Sequence, residues 1–144
     1  GVESTIIDCT GNAPRILRPG AISDEMISGS TGLEVIRETV ADNKQGQIRV
    51  SGSLENHYAP AARVLLDLQP TPGQGFIALA STQTPEGVIR LASPINHEDF
   101  ARILYSSLRA ADSQGLTEVV VTQPIGAGIA EAIRDRLSRA ANGR

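Results

Sequence analysis

The sequence predicts an α/β protein: a small three-layer domain with a mainly parallel sheet, preceded by a linker and by a terminal hairpin and helix belonging to a second α/β unit. Three observations carry that reading. Short aliphatic runs recur at Val64 to Leu68, Phe76 to Ala80, Val88 to Leu91 and Glu118 to Val121. Helical periodicities flank the last of these runs, and an order of strand, helix, strand, helix is that of a parallel α/β layer. A polar, glycine-bearing stretch containing Asp42-Asn43-Lys44-Gln45-Gly46-Gln47 and Ser51-Gly52-Ser53 has almost nothing to bury and separates this unit from what precedes it.

Taken in chain order, Thr5 to Asp8 and Arg15 to Leu17 are β-type runs separated by Gly11, Asn12 and Pro14, which is how two strands joined by a turn look. A two-stranded hairpin is marginal in water, so further strands, expected from sequence upstream of Gly1, should complete its sheet. Ser23 is placed to cap a short helix, with Asp24 and Glu25 at the positive end of its dipole, Met26 and Ile27 as its apolar contacts and an end near Gly29. Leu33, Val35 and Val40 match neither the helical nor the strand template.

In the second unit Asn96 caps a helix with Asp99 in its third position. Phe100, Ile103, Leu104, Leu108 and Ala111 follow at the spacing of one buried face, and Gly115 ends it. In the final helix Ile129, Ala132, Ile133, Leu137 and Ala140 form the buried stripe, with Arg134, Arg136 and Arg139 mostly outward. The expected organisation is 1–40 as a domain fragment, 41–60 as linker and 61–144 as a small domain.

Composition excludes several classes. Apolar residues at 40% suffice for a core, but aromatics are 3% and Trp is absent, so aliphatic packing must carry it. One cysteine, Cys9, rules out an intramolecular disulfide and a cysteine metal site; it reads as a small apolar filler at a strand end, and a reducing cytoplasm fits this usage. The net charge of -3, with no aromatic residues interleaved among basic runs, argues against direct nucleic-acid binding. No apolar run approaches the roughly 20 residues of a membrane span, and a chain that opens on Gly1 rather than Met reads as a soluble piece of something longer.

No P-loop, dinucleotide fingerprint or zinc-ligand pair is present. His97 sits beside a helix cap, where solvation is the default, and Gly126-Ala127-Gly128 serves either a tight turn or an anion at a helix N-terminus. Ser4 and Thr5 place hydroxyls on opposite faces of a strand, by themselves a structural pair. Arg18 stands where an apolar strand runs into the rigid Pro19-Gly20 turn, suited either to a surface ion pair with Asp8 or Glu25 or to a bidentate phosphate contact. Asn56-His57-Tyr58-Ala59-Pro60 follows the polar stretch, as a packing anchor or as a lid over a neighbouring cleft.

Ser4-Thr5-Ile6-Ile7-Asp8, Ile16-Leu17-Arg18-Pro19-Gly20 and His57-Tyr58-Ala59-Pro60, in that order, make the chain resemble the carboxy-terminal part of long, two-domain L-threonylcarbamoyladenylate synthases of the YrdC-like family. Ala132-Ile133-Arg134-Asp135-Arg136-Leu137 fits as well. The resemblance implies the end of a YrdC-like catalytic domain up to about residue 40, a linker ending in His-Tyr-Ala-Pro, and a Rossmann-like second domain. It implies an enzyme that turns L-threonine, bicarbonate or carbon dioxide, and ATP with Mg2+ into threonylcarbamoyl-AMP and pyrophosphate. The product would pass to the transferase machinery of tRNA t6A modification, in the cytoplasm, and no tightly bound cofactor is implied for this part.

On the same resemblance Thr5 contacts the amino-acid substrate, Arg18 and Asn56 contact the nucleotide, and His57 and Tyr58 hold the linker as a lid. Family linkers commonly carry lysine and tyrosine where Leu54 and Glu55 stand, so contacts made by those side chains do not carry over. Most of the substrate cavity would lie upstream, which implies that the chain alone is inactive. Two other readings compete: a non-catalytic nucleotide- or protein-binding module, and a related carbamoyl-transfer enzyme with another acceptor.

Overall fold

Aliphatic runs of three or four residues bury both faces only when they sit side by side inside a sheet, and here Phe76 to Ala78 and Val119 to Val121 do. The computed structural model describes residues 2–37 and 60–142. Its elements are β1 (Ile6–Asp8), β2 (Arg15–Arg18), α1 (Asp24–Thr31), β3 (Ile36–Arg37), β4 (Arg63–Leu66), β5 (Gly75–Ile77), β6 (Ile89–Ala92), α2 (His97–Ser113), β7 (Glu118–Val121) and α3 (Ile129–Asn142). β1, β2 and β3 form one sheet in that order; β4, β7, β5 and β6 form a second, and every pairing in the second is parallel. The expected α/β class with a mainly parallel sheet is the one observed.

The register of the parallel sheet sorts its side chains into two layers. Val64 pairs with Val119 and Gly75 with Val119, so alternate positions along each strand share a face. On one face Val64, Ile77, Val119 and Val121 pack with Phe100, Leu104 and Leu108 of α2 and Ile133 and Leu137 of α3. On the other, Phe76, Ala78 and Val120 form a smaller buried cluster with Leu65 and Val88 against it. Aliphatic side chains with a single buried phenylalanine per face fill both layers, as the low aromatic content requires.

Local chemistry sets the helix ends. Asn96 accepts from the Asp99 N–H at 2.8 Å, while the Asp99 carboxylate reaches back to the Ile95 N–H at 3.2 Å, a reciprocal pair that satisfies two donors at the start of α2. At the other end Gly115 at φ 67 lets its own N–H meet the Asp112 carbonyl and the Leu116 N–H meet the Ala111 carbonyl, turning Leu116 back onto the core. Ser23 caps α1 as expected, but α1 runs on to Thr31 and ends on Gly32. Of its two apolar residues only Ile27 is buried, Met26 being exposed.

Arg90 organises the β5–β6 connection, a role its sequence context does not announce. Its guanidinium lies 4.9 Å from the centre of the Phe76 ring and donates to the carbonyls of Ala78, Leu79, Thr82 and Ala92 at 2.8–2.9 Å and to the Thr84 hydroxyl at 3.0 Å. Partial burial pulls its pKa below the ordinary value, and the ring of carbonyls supplies the compensation a half-buried cation needs. A lysine has one charged point and cannot span this ring. Arg90→Lys should lower stability by about 1.5–3 kcal/mol, seen as a lower urea midpoint at unchanged m.

Candidate functional site

β1 and β2 are antiparallel, with Ile7 opposite Ile16 and Ile6 opposite Arg18. The register slips between these pairs, leaving Leu17 as the extra residue of a bulge and re-aiming the end of β2. Arg18 thus ends its strand beside the residue that precedes β1, which is Thr5. Thr5 itself is not in the strand, as its sequence suggested, but immediately ahead of it. Two residues read separately in the sequence are brought to one corner of the hairpin.

A close backbone approach fixes that corner. A Cβ on Gly20 would stand 2.4 Å from the Thr5 nitrogen, 2.5 Å from the Ser4 carbonyl carbon and 2.6 Å from the Glu3 oxygen, which no side chain can occupy. The Ala21 N–H donates to the Glu3 carbonyl at 2.8 Å across the same contact. The Thr5 hydroxyl then bonds twice to Ile22, donating to its carbonyl at 3.0 Å and accepting from its N–H at 3.1 Å. With its proton committed to Ile22, the hydroxyl meets any further partner through its remaining lone pair.

Arg18 donates through Nε to the Ser4 carbonyl at 3.2 Å. Its surroundings belong to the second unit. Burial is the largest influence lowering its pKa and the Arg136 charge is next, while Tyr105 and Asp135 act in the opposite direction and Arg139 adds to the lowering. An arginine stays charged under such shifts, so Arg18 is a positive centre that feels the Arg136 and Arg139 cations on one side of the balance and the Asp135 carboxylate on the other. The alternative of an Asp8 ion pair for Arg18 is overturned, because Asp8 is taken by Arg15 at 2.7 Å.

The two units meet along this corner. Val2 is fully buried within the core cluster of α2, α3 and the parallel sheet, and Arg136 of α3 donates to the Pro19 carbonyl at 3.3 Å. Arg136 was expected outward; it is 7% exposed, paired with Asp135 at its side. Arg134 also turns inward in part, donating to the carbonyls of Pro124 and Gly126 and so fastening the Gly126-Ala127-Gly128 connection. An open cavity of about 410 Å³ lies at the seam, lined by Glu3, Ala21, Glu98, Ala101, Arg102 and Ile129 but by neither Thr5 nor Arg18.

Other expectations are corrected or fall elsewhere. Cys9 is exposed, not an apolar filler, because it lies past the end of β1 where the turn leaves the sheet. Asn56, His57 and Tyr58 lie outside the described residues. Among the described residues no three His, Cys, Asp or Glu side chains cluster to hold a metal ion, and no helix is long and apolar enough to cross a membrane. Sequence reasoning missed Arg136, since its partner is 117 positions away. It also missed Asp67, which sits at φ 54 past β4 and accepts from Gln123 N–H and Nε2 at 2.8 and 2.7 Å.

The parallel sheet with α2 and α3, and a hairpin corner docked against it, define the chain as a Rossmann-like α/β domain carrying part of a neighbouring sheet. A family model for the threonylcarbamoyl-AMP synthase C-terminal domain matches residues 22–142, and the chain belongs to that family. Curated relatives bear the name threonylcarbamoyl-AMP synthase. Those from Bacillus subtilis (strain 168) and Pyrococcus abyssi (strain GE5 / Orsay) are 27% and 29% identical across 100% of this chain, which covers 46% and 47% of their lengths. One from Schizosaccharomyces pombe is 28% identical across 99% of the chain and 42% of its own length. The chain therefore spans about half the length of the curated relatives it matches.

Among solved structures, P. abyssi Sua5 complexed with L-threonine superposes with a TM-score of 0.74 at 25% identity, over 99% of this chain and 46% of that one. A variant of the same protein, at 22% identity and a TM-score of 0.68, shares the fold over 99% of this chain and 45% of its own.

Two outcomes follow from the corner. Gly20→Ala forces backbone apart, so it should cost about 1–3 kcal/mol or more and speed native-state trypsin cleavage after Arg15; an unchanged digestion rate would refute the contact. Asp8 is held down by hydrogen bonds from the Arg15 side chain, the Thr10 hydroxyl and the Thr10 N–H, in that order, with burial pushing weakly the other way, and its pKa falls from 3.8 to about 2. A depressed carboxylate stabilises the fold above its unfolded pKa and loses that effect as pH falls through the folded value. The urea midpoint should drop between pH 5 and pH 2 by less in Asp8→Asn than in the parent, and equal drops would refute it.

Proposed function

We propose that the chain is the carboxy-terminal portion of an L-threonylcarbamoyladenylate synthase, which makes threonylcarbamoyl-AMP and pyrophosphate from L-threonine, bicarbonate or carbon dioxide, and ATP, for t6A modification of tRNA in the cytoplasm. The match of the whole chain to curated relatives that bear this activity in their name carries the reading. The L-threonine complex of the P. abyssi neighbour supports an amino-acid substrate. The meeting of Thr5 with Arg18 at one corner supports a shared site for two substrates.

In this reading the amine of threonine adds to carbon dioxide and loses a proton, giving a carbamate. A carbamate oxygen then forms a bond to the α-phosphorus of ATP as the bond to the β-phosphate oxygen breaks, and pyrophosphate leaves with the electron pair. Positioning and charge neutralisation dominate such a transfer, and no covalent enzyme nucleophile is required. Magnesium enters as part of the MgATP substrate. Arg18, already among cations, meets phosphate oxygens; Thr5 offers its free lone pair to the threonine; Asn56 contacts nucleotide, and His57 and Tyr58 hold the lid that shields the mixed anhydride from water.

Walls of the cleft supplied from elsewhere in the protein make the chain inactive alone. With its upstream sequence restored, the protein should release pyrophosphate only when ATP, L-threonine and bicarbonate are all supplied. Arg18→Ala should then lower kcat/KM for ATP by about ten- to a hundredfold, the loss of one charge-assisted contact, at an unchanged melting temperature. Pyrophosphate release indifferent to threonine would sink the proposal, and wild-type ATP use by the Arg18 variant would remove that residue from the site.

A further inference from the structure

We propose that Arg136 of α3 is a positioning residue for Arg18, through which the carboxy-terminal domain sets the ATP affinity of the active site. The inference rests on the reading of Arg18 as a phosphate contact. Arg136 does not reach the substrate in this scheme; it acts on the backbone from which Arg18 projects.

The geometry is that of a clamp. Arg136 is 7% exposed, and its two terminal nitrogens have different tasks: Nη1 meets the Asp135 carboxylate, and Nη2 donates to the Pro19 carbonyl at 3.3 Å. Asp135 is held in turn by Arg139, whose Nε and Nη2 reach it at 3.1 and 3.2 Å. The peptide carbonyl that Arg136 grips belongs to the residue next to Arg18. On its far side the same strand exit is pinned by Gly20 against Ser4 and Thr5, and Arg18 Nε by the Ser4 carbonyl. The guanidinium of Arg18 therefore projects from a backbone held on both sides, one hold coming from the hairpin and the other from α3.

A buried ion pair is a poor adhesive. Desolvating a guanidinium and a carboxylate offsets most of their attraction, and an apolar contact of equal size would join the two units at least as firmly. What a forked donor adds is direction, because its planar geometry fixes where the carbonyl must lie. Arg136 also contributes a positive potential at Arg18, second only to burial among the influences on that group, and an incoming phosphate relieves this repulsion. Position and potential act in the same sense, toward tighter phosphate binding.

The test uses the full-length protein with five variants and steady-state kinetics in ATP and in threonine. Arg136→Ala should raise KM for ATP about tenfold with kcat within about twofold, and leave KM for threonine within about twofold. Arg136→Lys keeps the charge beside Asp135 but cannot fork to Pro19; it should raise KM for ATP about threefold and serves as the deciding variant if the alanine form does not fold. Ser138→Ala, on the exposed side of the same helix, should match the parent. Because Arg136 acts through Arg18, the pair Arg18→Ala and Arg136→Ala together should be no worse than Arg18→Ala alone, whereas independent roles would multiply.

Should Arg18→Ala raise KM for ATP while folded Arg136→Lys does not, the clamp is wrong and the site reading survives. If Arg18→Ala itself leaves ATP use unchanged, the site reading fails and the clamp with it. Multiplicative losses in the double variant would also overturn the clamp.

Discussion

The contact between Gly20 and the backbone of Glu3 to Thr5 leaves no room for a methyl group, and the candidate site is built outward from it. Two extended segments can approach this closely only where one lacks a side chain, and the approach brings donors and acceptors of both into register. The Ala21 bond to Glu3, the double bond of Thr5 to Ile22 and the Arg18 bond to Ser4 all cross the same junction. Pro19, one residue earlier, is then in place for Arg136.

Electrostatics at this junction are uneven. Arg18 feels the charges of Arg136 and Arg139 and, in the opposite sense, that of Asp135, which is itself paired with Arg136 and Arg139. The chain as a whole carries a net charge of -3, so the positive field is a local arrangement and not a property of the composition. A local positive focus of this kind differs from a broadly basic surface, whose attraction for polyanions depends on overall charge.

The parallel sheet plays a different part. Its carboxyl edge, where open α/β sheets commonly take ligands, is occupied in the described residues by internal bonding: Asp67 with Gln123, and Arg134 with the Pro124 and Gly126 carbonyls. The outer cluster around Phe76 is similarly tied by Arg90. Against that internally satisfied scaffold the features that face the hairpin, Val2 in the core and Arg136 on Pro19, are the ones that give the domain a bearing on the proposed chemistry.

Read by itself, the sequence determined what short-range physics controls: the Asn96 and Ser23 caps, the buried stripes of α2 and α3, the parallel order of the aliphatic strands, and the hairpin that ends in Arg18. It also carried the motifs that pointed to the family. It did not show that Ile36–Arg37 supplies a third strand to the first sheet, since two paired residues are too few to make a period. Nor could the outward reading of Arg136 survive, because helical periodicity assigns a face by neighbours three and four positions away and is blind to a carbonyl 117 positions distant. Tertiary structure decided where the two units touch, which arginine is buried, and that Thr5 and Arg18 share a corner; each depends on a pairing between segments that no local window contains.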